Sequence, residues 1–146
     1  MRSKRVWRYY CDFCKKSGCN GGHIRKHEAS CCSNPNRICQ MCPWVDGEQR
    51  PTPELQASFE AGGLDALRLV AGACPACMLA GIIAWQKSQR AAGVEDGEGE
   101  LWVDFDFKAE TAAMWEAVNR GAAEASEQAE MEAERYAAVY GDEIPF

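Results

Sequence analysis

Three pairs of cysteines two residues apart, Cys11/Cys14, Cys39/Cys42 and Cys74/Cys77, together with the segment His27-Glu-Ala-Ser-Cys31, hold the residues best suited to chemistry. A Cys-x-x-Cys pair presents two sulphurs to one ion from a tight turn, and a His and a Cys four apart lie on one face of a helix. Cys11, Cys14, His27 and Cys31 therefore form one candidate tetrahedral set. The twelve residues between Cys14 and His27 leave room for a hairpin return and the first helical turns. Two other ligand sets stay open at this stage: His23 with His27, across a loop of eight residues, and Cys32 in place of Cys31. Cys39, Cys42, Cys74 and Cys77 form the second candidate set, its two halves separated by thirty-one residues. Pro75 suits the first turn of a helix, and a helix N-terminus favours the thiolate that a metal needs. The competing chemistry for Cys74-Pro-Ala-Cys77 is a redox dithiol. No alternating strand–helix pattern surrounds it, however, and a partner Cys-x-x-Cys is at hand. An iron–sulfur cluster on the same four cysteines is the third option. The reading is two zinc ions held by eight residues, which uses seven of the nine cysteines and leaves Cys19 and Cys32.

The elements that must position these ligands can be read coarsely. The chain is expected to be a small, zinc-stapled, mainly α protein, with a short β-hairpin in its first segment, one further short strand and a long C-terminal helix. Residues 1–37 form a basic segment with the first site, 38–100 a helical region with the four-cysteine site, and 101–146 the strand and long helix. Ser33-Asn-Pro-Asn-Arg-Ile reads as a turn between the two sites. Thr52-Pro53-Glu54 looks like an N-cap, a proline at the first helical position and an early acid. Gly62-Gly63 should stop that helix, with a second short one over Leu64 to Ala71. The helix behind Pro75 should run to about Ala92 and end at Gly93. Val94 to Glu100 is an acidic loop. Leu101, Val103 and Phe105 alternate with Trp102, Asp104 and Asp106, the period of a half-buried strand. From Phe107 to Tyr140 the chain reads as one helix. Trp115, Val118, Ala122, Ala125, Ala129, Tyr136 and Tyr140 form a seam on it, opposite Glu116, Glu124, Glu127 and Glu134, with a bend expected at Gly121. So long a helix exceeds what the rest of a small domain can cover, so part of it should find a partner.

Charge divides along the chain. Residues 1–37 carry nine Lys/Arg against Asp12 and Glu28, about +7, and the remainder carries about −13, for a net −6. A basic head and an acidic body suggest two surfaces with different partners, or copies that dock head to tail. No apolar run approaches a bilayer span and no secretory signal opens the sequence, so a reducing compartment is expected.

Cys11-x2-Cys14-x12-His27-x3-Cys31 resembles the C2H2/C2HC zinc-finger family over about residues 7–32. Tyr9 stands where that family keeps an aromatic and Ile24 where it keeps a core leucine. Gly18 departs from the pattern, since it occupies the place of a mid-loop aromatic, so Phe13 or Trp7 is expected to fill the finger core. The resemblance implies a ββα fold. It also places Asn20, His23 and Lys26 where base-reading side chains would sit, with Arg25 beside them and Arg2, Lys4, Arg5, Arg8, Lys15 and Lys16 available for phosphates. Over about the first 90 residues the chain also resembles small proteins of tailed bacteriophages and prophages. The shared features are Cys11, Cys14, His27, Cys31, the link Asn34 to Arg37, Cys39, Cys42, and Cys74 to Cys77. That resemblance implies a phage setting, with the protein in the host cytoplasm and built into a virion.

No catalytic arrangement is visible. Both histidines lie in the finger, no phosphate-binding glycine loop is present, and both proposed sites are closed, whereas a catalytic zinc keeps an open position. The expected function is a non-enzymatic zinc-binding module. It would dock on other subunits of an assembly through its basic finger and long helix, without a membrane or a small-molecule substrate. The alternative is a zinc-finger regulator that binds nucleic acid.

Overall fold

The computed structural model describes residues 5–94 and 101–140; Tyr140 is described by its backbone alone. The positions of Arg2, Lys4, most of the acidic loop and Phe146, and the side chain of Tyr140, lie outside the described residues. Among the described residues the chain is mainly helical. A two-stranded antiparallel hairpin, β1 (Tyr9–Tyr10) and β2 (Ser17–Gly18), pairs Tyr9 with Gly18 and Tyr10 with Ser17. It is followed by α1 (Gly21–Ser30), a single 3₁₀ turn (Cys42–Val45), α2 (Thr52–Val70), α3 (Pro75–Ala91) and α4 (Phe107–Tyr140).

The first segment has the ββα form that its spacing implied. Asn20 caps α1, its side-chain oxygen accepting the N–H groups of Gly22 at 2.9 Å and His23 at 3.2 Å. Those donors have no partner within the helix, so the cap offsets a loss of order 1 kcal/mol. The buried core of this unit is Cys11, Ile24 and Cys31, with Cys14 beside them. Trp7 and Phe13 do not fill the space left by Gly18, contrary to expectation: Trp7 is 85% exposed and Phe13 is also exposed. Ile24 reaches back to Gly18, and Tyr9 lies across Gly21, so small residues let the existing side chains close the gap.

α2 and α3 form the body. The Gly62-Gly63 interruption is real: Gly63 has φ 66° and Gly62 leaves the helical region, so α2 is two helical pieces across a kink. Its start lies one residue earlier than the cap reading placed it. Pro51 takes the cap position, and Thr52 is the first helical residue, buried and without a capping bond. Gly72 and Ala73, at φ 58° and 56°, turn the chain sharply from α2 into α3. Leu55, Leu67, Met78 and Ile82 make the core between the two helices, with Ala71 and the four cysteines of the second set in the same cluster. A Cβ on Gly81 would lie 2.9 Å from Leu67 Cδ1 and 3.1 Å from Leu55 Cβ, so α3 packs on α2 backbone-close at that point.

Residues 101–106 alternate in burial as a strand would, with Leu101 buried and Trp102 exposed. Among the described residues the segment pairs with no other strand, and the Phe105 N–H donates to the Val103 carbonyl at 2.9 Å, so the further strand expected from the sequence is not formed. Instead Val103 and Phe105 pack on the helical core, and Gln86 donates to the Leu101 carbonyl at 2.9 Å. Burying one face suffices to impose the period-two pattern without a ladder. Asp106 then caps α4 by accepting from Lys108 and Ala109. α4 runs through Gly121 without interruption, so no break is seen where a bend was expected.

The start of α4 is tied to the body by Arg68, which bonds Glu110, and by Trp44 and Trp115, whose rings meet edge to face at 5.3 Å. Met114 is buried there and Val118 half-buried, and every residue from Asn119 to Val139 is exposed. The inner part of the seam packs on the body; Ala122, Ala125, Ala129 and Tyr136 do not. Between the 3₁₀ turn, the α2–α3 turn and α4 lies an open groove of about 870 Å³ lined by Trp44, Val45, Met114, Val118, Gly121 and Ala125, among others. No described helix is long and apolar enough to cross a membrane.

The close contact at Gly81 gives a direct check on this packing. Gly81→Val adds a branched side chain against Leu55 and Leu67 and should lower the unfolding free energy by about 1–3 kcal/mol in denaturant titration. An unchanged midpoint would place α3 farther from α2.

Candidate metal centres

Each cluster is assembled from two pieces of chain. In the first, the β-hairpin turn carries Cys11 and Cys14, and the last turns of α1 carry His27 and Cys31. The Cys11 N–H donates to the Lys16 carbonyl at 2.9 Å, closing the turn. The N–H groups of Phe13 and Lys16 point at the sulphurs of Cys11 and Cys14, each at 3.4 Å. Such donors favour a charged sulphur. Cys14 Sγ lies 3.2 Å from His27 Nε2. In the second cluster, the loop before the 3₁₀ turn carries Cys39 and Cys42. Cys74 caps α3, whose first residue is Pro75, and Cys77 stands one turn into it. Cys39 and Cys74 sulphurs are 3.6 Å apart, and those of Cys42 and Cys77 are 3.3 Å apart.

Within each set all four ligand atoms lie within 4.8 Å of one another. Four sulphurs around a zinc ion at about 2.3 Å are separated by about 3.8 Å, and a sulphur and an imidazole nitrogen by about 3.5 Å. The observed spacings match that tetrahedron and are far too long for disulfides, which need about 2.05 Å. All nine cysteines are free thiols. The two clusters are thus compatible with two zinc ions. The structure also separates the ligand sets left open by the sequence. His23 is exposed and is not grouped with the first cluster's ligands, while Cys32 contacts the Ala76 carbonyl at 3.8 Å and is grouped with neither cluster. Cys19 is exposed and belongs to neither cluster.

The electrostatics favour a cation in both places. Burial works against the Cys14 thiolate. The Lys16 N–H, then His27 and the neighbouring thiols outweigh it, bringing Cys14 down to about 7. Burial and the neighbouring sulphurs push Cys31 up to about 11. In the four-cysteine cluster, hydrogen bonds from the Cys74 and Cys77 thiols hold Cys39 well below the usual thiol range. Donating to Cys39, then to Cys77, raises Cys74. Cys42 is pushed up to about 12, by burial first and then by Cys77 and Cys39. One negative charge is welcome in each cluster and further charges repel it. A cation at the centre would let the sulphurs of either cluster be charged together.

A residue that the charge count misplaced bears on the same point. Arg37 was grouped with the basic surface, yet it is 3% exposed. Its guanidinium Nη2 donates to Cys77 Sγ at 3.0 Å, and its Nε has no hydrogen-bond partner. A buried arginine beside neutral thiols would cost several kcal/mol. Beside a thiolate cluster it is paired. Nothing in the periodicity signalled this; the only hint was its place two residues before Cys39.

The remaining expected residues are placed as follows. Arg8, Lys15, Lys16, His23, Arg25 and Lys26 are all exposed on the finger. Asn20 spends its side-chain oxygen on the α1 cap. Each cluster groups four potential ligand residues, six of the eight being buried, which is enough to fill a tetrahedral zinc shell. Comparison with protein-family models, characterised proteins and solved structures gives no match for this chain.

Metal analysis checks the assignment residue by residue. The wild-type chain should carry two zinc ions, Cys14→Ser and Cys74→Ser one each, and Cys19→Ser and Cys32→Ser still two. Loss of either metal should loosen its part of the fold by several kcal/mol, the order of the folding energy that structural zinc supplies. Two ions retained in Cys74→Ser would dissolve the second centre.

Proposed function

We propose that the chain is a non-enzymatic, zinc-stapled interaction module that holds α4 out from a metal-rigidified body for another protein to grip. The observation that carries this reading is the exposure of α4 on all its faces from Asn119 to Val139, a stretch of about 30 Å. It carries Met131, Tyr136 and Val139, all more than 60% exposed, among alanines that permit close helix approach. A monomeric domain has little use for a helix it cannot cover. The body supports the same reading, because the closed clusters suit a structural role. The Trp44–Trp115 contact and the Arg68–Glu110 pair fix the angle at which α4 leaves. The partner surface that fits is apolar and rimmed by basic side chains, since Glu124, Glu127, Glu130, Glu132 and Glu134 outnumber Arg120 and Arg135 on this stretch. In the phage setting suggested by the sequence, the partner is another subunit of a virion. The protein would then be made in the host cytoplasm and built into the particle.

A second reading, nucleic-acid binding through the finger, is favoured by the exposure of His23, Arg25 and Lys26 along α1 beside Lys15 and Lys16. A single finger reads only about three base pairs, and the acidic body opposes DNA.

Two measurements separate these readings. Hydrogen exchange over 119–139 should be fast in the zinc-loaded monomer and slow in an assembled state resolved by light scattering. Strong protection in a monomer would show that α4 needs no partner and would overturn the assembly reading. Anisotropy with short duplex DNA at two salt concentrations should show no tight binding. Micromolar, salt-steep binding lost in Lys26→Ala would instead establish the second reading.

A further inference from the structure

We infer that Arg37 couples the two metal centres, so that metal in the finger strengthens metal binding at the four-cysteine site, and the reverse. The inference rests on the zinc reading above and concerns a residue that is a ligand of neither centre.

The chain between the last finger ligand, Cys31, and the first ligand of the second site, Cys39, is seven residues long. It is held at almost every step. The Asn34 N–H donates to the Cys31 carbonyl at 2.8 Å, and the buried Asn34 side chain donates to the Glu28 carbonyl at 2.8 Å. The Asn34 side-chain oxygen accepts the Asn36 N–H at 2.9 Å, and the Arg37 N–H donates to the Asn34 carbonyl at 3.2 Å. The Ile38 N–H reaches the Ala29 carbonyl at 2.7 Å. On the far side, Gln49 donates to the Arg37 carbonyl and accepts the Cys39 N–H. The backbone of Arg37 is thus fixed by the last turn of α1, which itself ends in the ligand Cys31.

The other end of Arg37 meets the second centre through the 3.0 Å bond to Cys77. Zinc with four thiolates is a doubly negative unit, whereas three thiolates and a neutral imidazole leave one net negative charge. Arg37 brings its positive charge from the finger's side to the more negative centre. Partners of this kind outside the ligand shell fix ligand orientation and shift metal affinity about 10–100-fold. When the finger lacks metal, the end of α1 loses its anchor and the guanidinium its fixed origin, so the second centre loses its counter-charge. Binding linkage makes the effect reciprocal.

The test is a double-mutant cycle on the full chain, read by zinc affinity of the four-cysteine site in competition with a chelator. Cobalt substitution in the Cys14→Ser background, where the finger holds no metal, reports the sulphur-to-metal absorption of that site alone. Cys14→Ser removes the finger's metal and should weaken the second site roughly tenfold, within the usual range of coupling between sites. Arg37→Met should weaken it about 10–100-fold. The double variant should be no weaker than Arg37→Met alone, because the route of coupling is already cut. Arg37→Lys keeps the charge without the planar fork and should recover part of the affinity. An undiminished effect of Cys14→Ser in the Arg37→Met background would overturn the proposal, as would an Arg37→Met affinity equal to wild type. Should Arg37→Met fail to fold, the wild-type protein decides. Its zinc-loaded form should show Arg37 guanidinium protons protected from exchange by NMR, and fast exchange there overturns the contact. A wild-type chain that takes up no metal would overturn the zinc reading itself, and a metallated chain with no coupling would overturn Arg37's role alone.

Discussion

The constraint on which this molecule turns is the burial of four sulphur ligands in the middle of its helical core. Cys39, Cys42, Cys74 and Cys77 share one cluster with Leu55, Leu67, Met78 and Ile82. Apolar packing alone would leave four adjacent thiols competing for one negative charge. A central cation turns that repulsion into the strongest attraction available there. The fold is arranged to make this possible. The left-handed pair Gly72–Ala73 brings the N-terminus of α3 round to the end of α2, which sets Cys74 and Cys77 facing the loop that carries Cys39 and Cys42. Two separate pieces of chain are thereby brought to one point, as a disulfide or a larger core would do in another small protein.

The finger depends on the same logic on a smaller scale. Its buried interior is Cys11, Ile24 and Cys31, too little apolar material to hold a ββα unit unaided. What distinguishes this chain is the stiffness of the link to the body. Asn34, Arg37 and Gln49 satisfy the backbone groups of the connecting segment, and Lys87 of α3 reaches the carbonyls of Phe13 and Ser33. The finger is therefore tied to the body by bonds along the connecting segment and from Lys87.

Beyond the body the balance reverses. The first three turns of α4 pack through Met114, Trp115 and Val118, and the residues from Asn119 to Val139 are exposed. Alanine and glutamate favour the helix by propensity, so the chain can hold its shape there without burying anything. Exposed length of this kind is the feature that packing within the chain leaves unexplained, and the proposed assembly role is argued from it.

Much of the site was legible in the sequence because ligand geometry is local. A Cys-x-x-Cys turn and a His-x3-Cys helix face are set by a few residues, and so were the hairpin, α1, the start of α3 at Pro75 and the extent of α4. The burial alternation of 101–106 was legible too, but not its meaning, since period two records a buried face and cannot say whether another strand lies alongside. Trp7 and Phe13 were assigned to a gap that Ile24 and Tyr9 close, because which side chain reaches a void depends on backbone approach. The joining of the Cys39 and Cys74 turns was read from the sequence as well, and the grouping agrees with it; the exclusion of His23 and Cys32 as alternative ligands and the burial of Arg37 were decided only in three dimensions. Spacing along the chain specifies which ligands share a turn, whereas which side chain reaches a void, and which charge is enclosed beside a cluster, follow from how α2, α3 and the finger pack together.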